Sequence, residues 1–425
     1  MPTDSSSDLV LSYADAADIV RAQAALLLAS EHVNAESVPL RDACGRVLAS
    51  AVLADREQPP FDRSTRDGYA CRAAELNAGL LRVAGLVRAG EMWEGELAAN
   101  NAIEIMTGAP VPAGADCVVM LEHVEAKANH IALTSGRKLL PGENVVPAGS
   151  EAKRGASVLV AGTRLGAQHL AVAASCGQTH LDCFRKPRIA VQATGDELVE
   201  ISETPLPFQI RNSNSYSLAA QVQLCGGEPL VMPILRDNRE ATASAILHML
   251  SDMAVDLILL SGGVSMGRFD FVEETLKDLG AEFFFNGAKI QPGKPVVFGR
   301  LPSRSVNKWT YFFGLPGNPI STMVTFALFV HPLLSALAGD TARVPRFALA
   351  RLVSPIAIKS GLTRFLPAFL KNNEFTPRVE AIAWQGSGDL ASNARANCYV
   401  VVPPAREDGK KELPVDEIVS VLLIG

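Results

Sequence analysis

Residues 256–267 read Asp-Leu-Ile-Leu-Leu-Ser-Gly-Gly-Val-Ser-Met-Gly. Leu257–Leu260 is a short unbroken apolar run stopped by a Gly-Gly turn, which predicts a buried strand running into a loop. The segment that follows, FVEETLKDLG over 271–280, has the spacing of a helix. Outward from this unit the alternation repeats. Upstream, RIAVQA (188–193) predicts a strand, 213–226 a helix, 228–235 a strand and 241–252 a helix. Downstream, YFF (311–313) predicts a strand, GLPGNP (314–319) a loop, and Met323–Ala338 a long buried helix interrupted by His331-Pro332. Strand–helix alternation of this kind predicts an α/β domain with a mostly parallel sheet over residues 185–339.

On either side the character changes. Ser12 can cap a helix running through Ile19, Val20 and Leu26–Leu28, and residues 38–54 predict a second helix ending before Pro59-Pro60. Residues 61–141 are short β-rich runs separated by Gly, Pro or Asn, which predicts a small β domain. The chain then returns to turns and an apolar helix at 167–177, expected to pack back on the first helices. Short strands after residue 340 predict a β barrel or sandwich. The expected division of this α/β multidomain chain is therefore fourfold. Residues 1–50 with 142–184 form a discontinuous N-terminal helical domain, and 51–141 the small β domain. Residues 185–339 form the α/β domain, and 340–425 a C-terminal β-barrel-like domain.

Composition sets outer limits. The 425 residues are 48% hydrophobic and 20% charged, a balance that excludes a collagen-like or wholly disordered chain. Lys and Arg total 39 against 45 Asp and Glu, giving a net charge of −6. An acidic chain is a poor candidate for general nucleic-acid binding, which runs on phosphate neutralisation. Anions must then be held by local groups rather than by a global field. The seven cysteines are scattered and form no C-x-x-C pair, so buried reduced thiols in a cytoplasmic protein are expected. The first ten residues carry no secretory pattern, and Met323–Ala338 is too short to span a membrane, so no membrane partner is expected.

Three loops sit at the carboxyl ends of predicted parallel strands, where ligands bind in open sheets. They carry Thr194-Gly195-Asp196-Glu197, then Ser261-Gly262-Gly263 with Ser265 and Gly267, then Pro316-Gly317-Asn318. Glycines let backbone approach a ligand, and helix N-termini offer N–H groups, so the loops suit phosphate or another oxyanion. Gln291-Pro292-Gly293-Lys294-Pro295 adds a compact cation. Glu197, Asp237 and Asp270 cluster in the same loops, and Glu197 with Asp237 suit Mg²⁺, which takes one or two carboxylates plus phosphate and water. Helix capping and plain tight turns are the alternative readings of these residues. Gly263-Val-Ser265-Met-Gly267 also matches a hydrolase nucleophile elbow, but the one later histidine, His331, sits in an apolar run before a proline. Gly386-Ser-Gly-Asp-Leu-Ala391 lacks the strand–turn–helix setting of a dinucleotide fingerprint.

Read together, Asp67-Gly-Tyr-Ala70, IMTGAPVPAGADCVVM (105–120), Gly142-Glu-Asn-Val145, TGDEL (194–198), SGGVSMGRFDFV (261–272), QPGKP (291–295) and GLPGNPIS (314–321) resemble the MoeA family, the molybdopterin molybdenumtransferases, which includes the gephyrin E domain. The resemblance runs from about residue 15 to 400. It implies insertion of molybdate into adenylylated molybdopterin, with Mg²⁺ required and AMP released. It also implies a homodimer whose cleft lies between the α/β domain of one subunit and the first domains of the other, with Asp67 reaching across. By resemblance Lys294, Pro295, Ser321 and Arg364 match molybdate-binding positions, Ser392 falls in the C-terminal motif, and Glu197, Asp237 and Asp270 match the acids of the cleft. The pathway's adenylyltransferase is a candidate partner. The sequence departs from the family at Arg66 and over Val145–Glu151, where a basic pair is replaced. A scaffold of low activity and an adenylyltransferase are the rival readings.

Overall fold

Leu257–Ser261 lies inside a six-stranded sheet, with every residue of the strand buried. In the structure, a computed structural model, residues 10–29, 35–263, 271–303, 309–341, 345–359, 361–371, 376–405 and 411–424 are described. The strand order is Glu228–Val231, Arg188–Ala193, Leu257–Ser261, Trp309–Leu315, Val297–Pro302, Glu282–Phe285. The first four strands are parallel and the last two join antiparallel. Successive side chains on a strand point to opposite faces, and the buried residues sort accordingly. Ile189, Val191, Leu257, Leu259 and Phe313 enter one core, while Ala190, Ile258, Leu260 and Phe312 enter the other. Helices cover both faces, which is why the strand reads as an unbroken apolar run. Ala193, Ser261 and Leu315 are in register, so the three loops leave the sheet at one level.

The apolar helix closes one core. Its regular turns, Pro319–Thr325 and His331–Leu337, flank a π turn at Phe326–Val330. Pro332 has no N–H to donate, and the wider turn sits immediately before it. By length and composition Pro319–Leu337 is apolar enough to cross a membrane, yet 78% of its most apolar window is buried inside the protein. The expected buried helix is therefore present.

Tyr13–Ala29 forms the first helix, and Ser12 Oγ accepts the Asp15 N–H at 3.2 Å. Its buried face of Ala16, Ala17, Val20 and Ala24 packs into the α/β core beside His331–Leu337. The second helix expected over 38–54 does not form. Ala35–Pro39 is a strand paired with His180–Phe184, Leu40–Asp42 a single 3-10 turn, and Val52–Leu53 a strand paired with Ser157–Leu159. Pro39 offers no N–H to a helix and Gly45 turns the chain at φ +78°. Sheet pairing buries Val38, Leu48 and Val52 against Leu159, Leu165, Ala173 and Leu181. The chain after residue 142 thus returns to the first fifty residues, and its helix, Ala167–Ser175, packs on these strands.

The small β sheet runs Cys117–Met120, Gly68–Cys71, Asn101–Ile105, Leu81–Val87, His130–Leu133, Val124–Lys127. Near the C-terminus five strands close into a barrel: Thr363–Lys371, Arg378–Ala381, Phe347–Leu352, Ile418–Leu423 and Cys398–Val402, which pairs back on the first. Ile290–Gln291 of the α/β domain adds to this barrel beside Thr363 and Arg364. Six cysteines are buried, as expected, but Cys44 is exposed. Cys71 and Cys117 face each other with sulfurs 3.8 Å apart, and this neighbour and burial push the Cys117 thiol well above its ordinary value.

Candidate active site

Two cavities open along the carboxyl edge of the parallel strands. The larger, about 600 Å³, takes one side from Thr194, Gly195 and Glu197, its floor from Ser261, Gly262 and Gly263, and another side from Pro316, Gly317 and Asn318. Asp237, from a loop, and Arg211, from the short strand Ile210–Arg211, also line it. The smaller, about 410 Å³, is built from Gln291–Pro295, Ser321, Leu362 and Trp384. Pro295, Pro316 and Asn318 belong to both, so the cavities adjoin across one shared wall. The C-terminal segment reaches each of them, with Gly388 and Leu390 at the larger and Gly386 and Ser387 at the smaller.

The glycine loops are held by backbone and by one side chain. Gly262 has φ +93°, and a Cβ there would lie 2.4 Å from the Thr194 carbonyl oxygen, so only glycine fits. Asn214, at the start of the helix Asn214–Leu224, donates from Nδ2 to Ser261 Oγ at 2.9 Å and to the Gly317 carbonyl at 2.7 Å. It ties the second loop to the third. Sequence reading missed Asn214, because an asparagine at a helix start reads as an ordinary cap. Two buried polar atoms at this floor, Thr194 Oγ1 and Asn214 Oδ1, have no hydrogen-bond partner among the described residues.

Glu197 and Asp237 line the larger cavity, and Asp196 lies beside them. Asp196 Oδ1 accepts the Asp237 N–H at 3.2 Å, and Glu197 folds back over Gly195. Partial burial, with Asp196 and Glu197 close by, holds the Asp237 carboxyl above the usual carboxylate range. Among the described residues no group of three or more metal-ligating side chains converges. What is present is a pair of carboxylates, Glu197 and Asp237, on one cavity.

Lys294 and Ser321 line the smaller cavity with Pro295. Ser321 is buried, whereas Lys294 is exposed and has no ion-pair partner among the described residues. Arg364 lines neither cavity, but it pairs across the strand with Gln291, which lines the smaller one. Its guanidinium is half-buried and donates from Nη1 to the Ala357 carbonyl at 3.0 Å. Its Nε has no hydrogen-bond partner among the described residues, and burial pulls its pKa below the ordinary value. A cation desolvated this way, with no ion-pair partner among the described residues, is in surroundings that favour an added anion.

Two expected residues lie elsewhere. Ser392 lines neither cavity; its hydroxyl donates to Asp389 Oδ2 at 2.6 Å and to the Ala383 carbonyl at 3.1 Å within a short helix start. Asp67 belongs to the small β domain, where its Oδ1 accepts the Thr107 N–H at 2.6 Å and the Thr107 hydroxyl at 2.8 Å. Those bonds hold its carboxyl below the usual range. Ser265, Gly267 and Asp270 lie outside the described residues.

Comparison with known proteins agrees with this architecture. Residues 11–177 match the MoeA N-terminal region (domain I and II), 190–336 the probable molybdopterin binding domain, and 350–424 the MoeA C-terminal region (domain IV). The chain is 33% identical to a molybdopterin molybdenumtransferase of Haemophilus influenzae over 87% of this chain and 90% of that one. It is 32% identical to a Bacillus subtilis protein of the same name over 92% and 90%. A solved molybdopterin biosynthesis MoeA protein from Pyrococcus horikoshii superposes with a TM-score of 0.74 at 30% identity, covering 97% of this chain and 99% of that one. A second structure from that organism gives 0.76 at 27%, covering 98% and 100%. On the fold, the three matched regions and these relatives, the chain belongs to the MoeA family.

Proposed function

We propose that the protein is a molybdopterin molybdenumtransferase that inserts molybdate into adenylylated molybdopterin, releasing AMP and giving molybdenum cofactor. The observation that carries this reading is the pair of adjoining cavities with a common wall of Pro295, Pro316 and Asn318. The larger has the glycine loops and volume for a phosphate-bearing heterocycle, and the smaller presents Lys294 and Ser321 to a small tetrahedral dianion. Arg364 stands behind the smaller cavity as a second source of positive charge. Glu197 and Asp237 fit Mg²⁺, which prefers one or two carboxylates completed by phosphate oxygens and water. Bound there, the metal would withdraw charge from the phosphates of the leaving nucleotide. The protein's own groups position the pterin against the Gly262 loop and hold the anion at Lys294.

The same reading carries a cytoplasmic location, a homodimer with Asp67 completing the partner's cleft, and the pathway's adenylyltransferase as a partner that supplies the substrate. The test is an insertion assay on purified protein with adenylylated molybdopterin and Mg²⁺. AMP release on addition of molybdate is expected. No release with all three present would overturn the reading.

A further inference from the structure

The larger cavity has one basic side chain among its described lining residues, Arg211, and the smaller has one, Lys294. Lys294 is expected from the sequence and Arg211 is not. Backbone pairing fixes Arg211 at the cavity mouth. Ile210–Arg211 runs parallel to Leu198–Val199, with Arg211 opposite Val199, and the Ile210 N–H donates to the Glu197 carbonyl at 2.9 Å. The next residue anchors the segment: Asn212 is buried, accepts the Ser215 N–H at 3.2 Å and donates to Ser215 Oγ at 2.9 Å. Arg211 Nε donates to the Glu203 carbonyl at 3.1 Å. Its Nη groups make no hydrogen bond among the described residues.

The remaining charged lining groups, Glu197 and Asp237, are both acids. Beside the backbone N–H groups of the glycine loops, Arg211 is the one cationic side chain that the described lining offers an anionic ligand. A planar guanidinium fork with open donors matches phosphate oxygens in pairs, as an ammonium does not. We infer that Arg211 binds the non-bridging phosphate oxygens of the adenylylated substrate and selects for the nucleotide-bearing pterin, while Lys294 serves molybdate on the other side of the shared wall. This rests on the function proposed above.

The experiment is calorimetric titration of wild type, R211A and R211K with AMP and, separately, with molybdate, together with KM and kcat for adenylylated molybdopterin. R239A is the control, because Arg239 pairs with Glu274 and Asp278 and lines neither cavity. Arg211 is exposed, so solvent screens it, and R211A should weaken AMP binding by about tenfold and raise KM by a similar factor, with kcat changing less. R211K should recover part of the loss, and molybdate affinity should stay at the wild-type value in all three variants. If wild type binds AMP and R211A binds it equally well, Arg211 is not the phosphate residue. If R211A loses molybdate affinity to the same degree, the effect is not local and the inference is overturned. If wild type itself binds neither AMP nor adenylylated molybdopterin, the proposed function falls, and the role of Arg211 falls with it.

Discussion

Single side chains make the sharpest distinction between the two cavities. Lys294→Ala removes the lining cation of the smaller one. Because Lys294 is exposed rather than buried, solvent screens it, and we predict about a tenfold loss of molybdate affinity. Equilibrium binding would check this; unchanged affinity in a folded variant would remove Lys294 from the anion site. Asp237 gives a pH signature. Its carboxyl is held up by partial burial, Asp196 and Glu197, so the folded chain binds this proton more readily than the unfolded one. Stability must then fall as pH rises from the ordinary aspartate value through the raised folded value. Asp237→Asn should therefore have a higher Tm than wild type at neutral pH, with the difference vanishing in acid, while activity drops. A Tm difference that is equally large in acid would contradict the crowding of these carboxylates. The acids and Lys294 were legible because their residue types carry charge next to glycine loops. Asn214 and Arg211 were not, because their roles depend on which loops the fold brings within 3 Å of one side chain, or on which wall of a cavity a two-residue strand faces.

At the scale of elements, the glycine loop after Leu257–Ser261 is the most constrained. Gly262→Ala combines a left-handed backbone with a Cβ driven into the Thr194 carbonyl. We predict a loss of about 2–4 kcal/mol, measured by denaturant unfolding. Gly388→Ala, at a position with open space and no left-handed φ, should cost less than about 0.5 kcal/mol. Equal effects at the two positions would mean that the Gly262 loop is not tightly packed against Thr194. The α/β unit was readable because each strand is a continuous apolar run and each helix has its own period. Residues 38–54 were misread for a physical reason. Val38, Leu48 and Val52 mimic helical spacing, but their partners are Leu159, Leu165 and Leu181, more than a hundred residues away. Pairing at that distance leaves no local trace, and tertiary burial overrides local propensity.

For the whole molecule, the separation of Asp67 from both cavities is the decisive fact. Asp67 lies in the bend just before the strand Gly68–Cys71, bonded to Thr107, and lines neither cavity of its own chain. If a two-fold dimer brings it to the partner's cleft, Asp67→Asn and Glu197→Gln should each be nearly inactive alone. After subunit exchange, about half the dimers are mixed and each has one intact cleft, so about a quarter of wild-type activity should return. Exchange proved by mass spectrometry with no recovery would assign Asp67 to its own domain only. The family motifs are legible in the sequence, whereas a juxtaposition across two chains would leave no pattern in one. The most direct measurement counts both products of one reaction. Wild-type protein with adenylylated molybdopterin, Mg²⁺ and molybdate is quenched over time, and AMP and pterin-bound molybdenum are quantified in the same samples. Equal amounts of the two, rising together and absent without molybdate, are predicted. AMP released at the same rate without molybdate, or no molybdenum on the pterin, would contradict a transferase built from these two cavities.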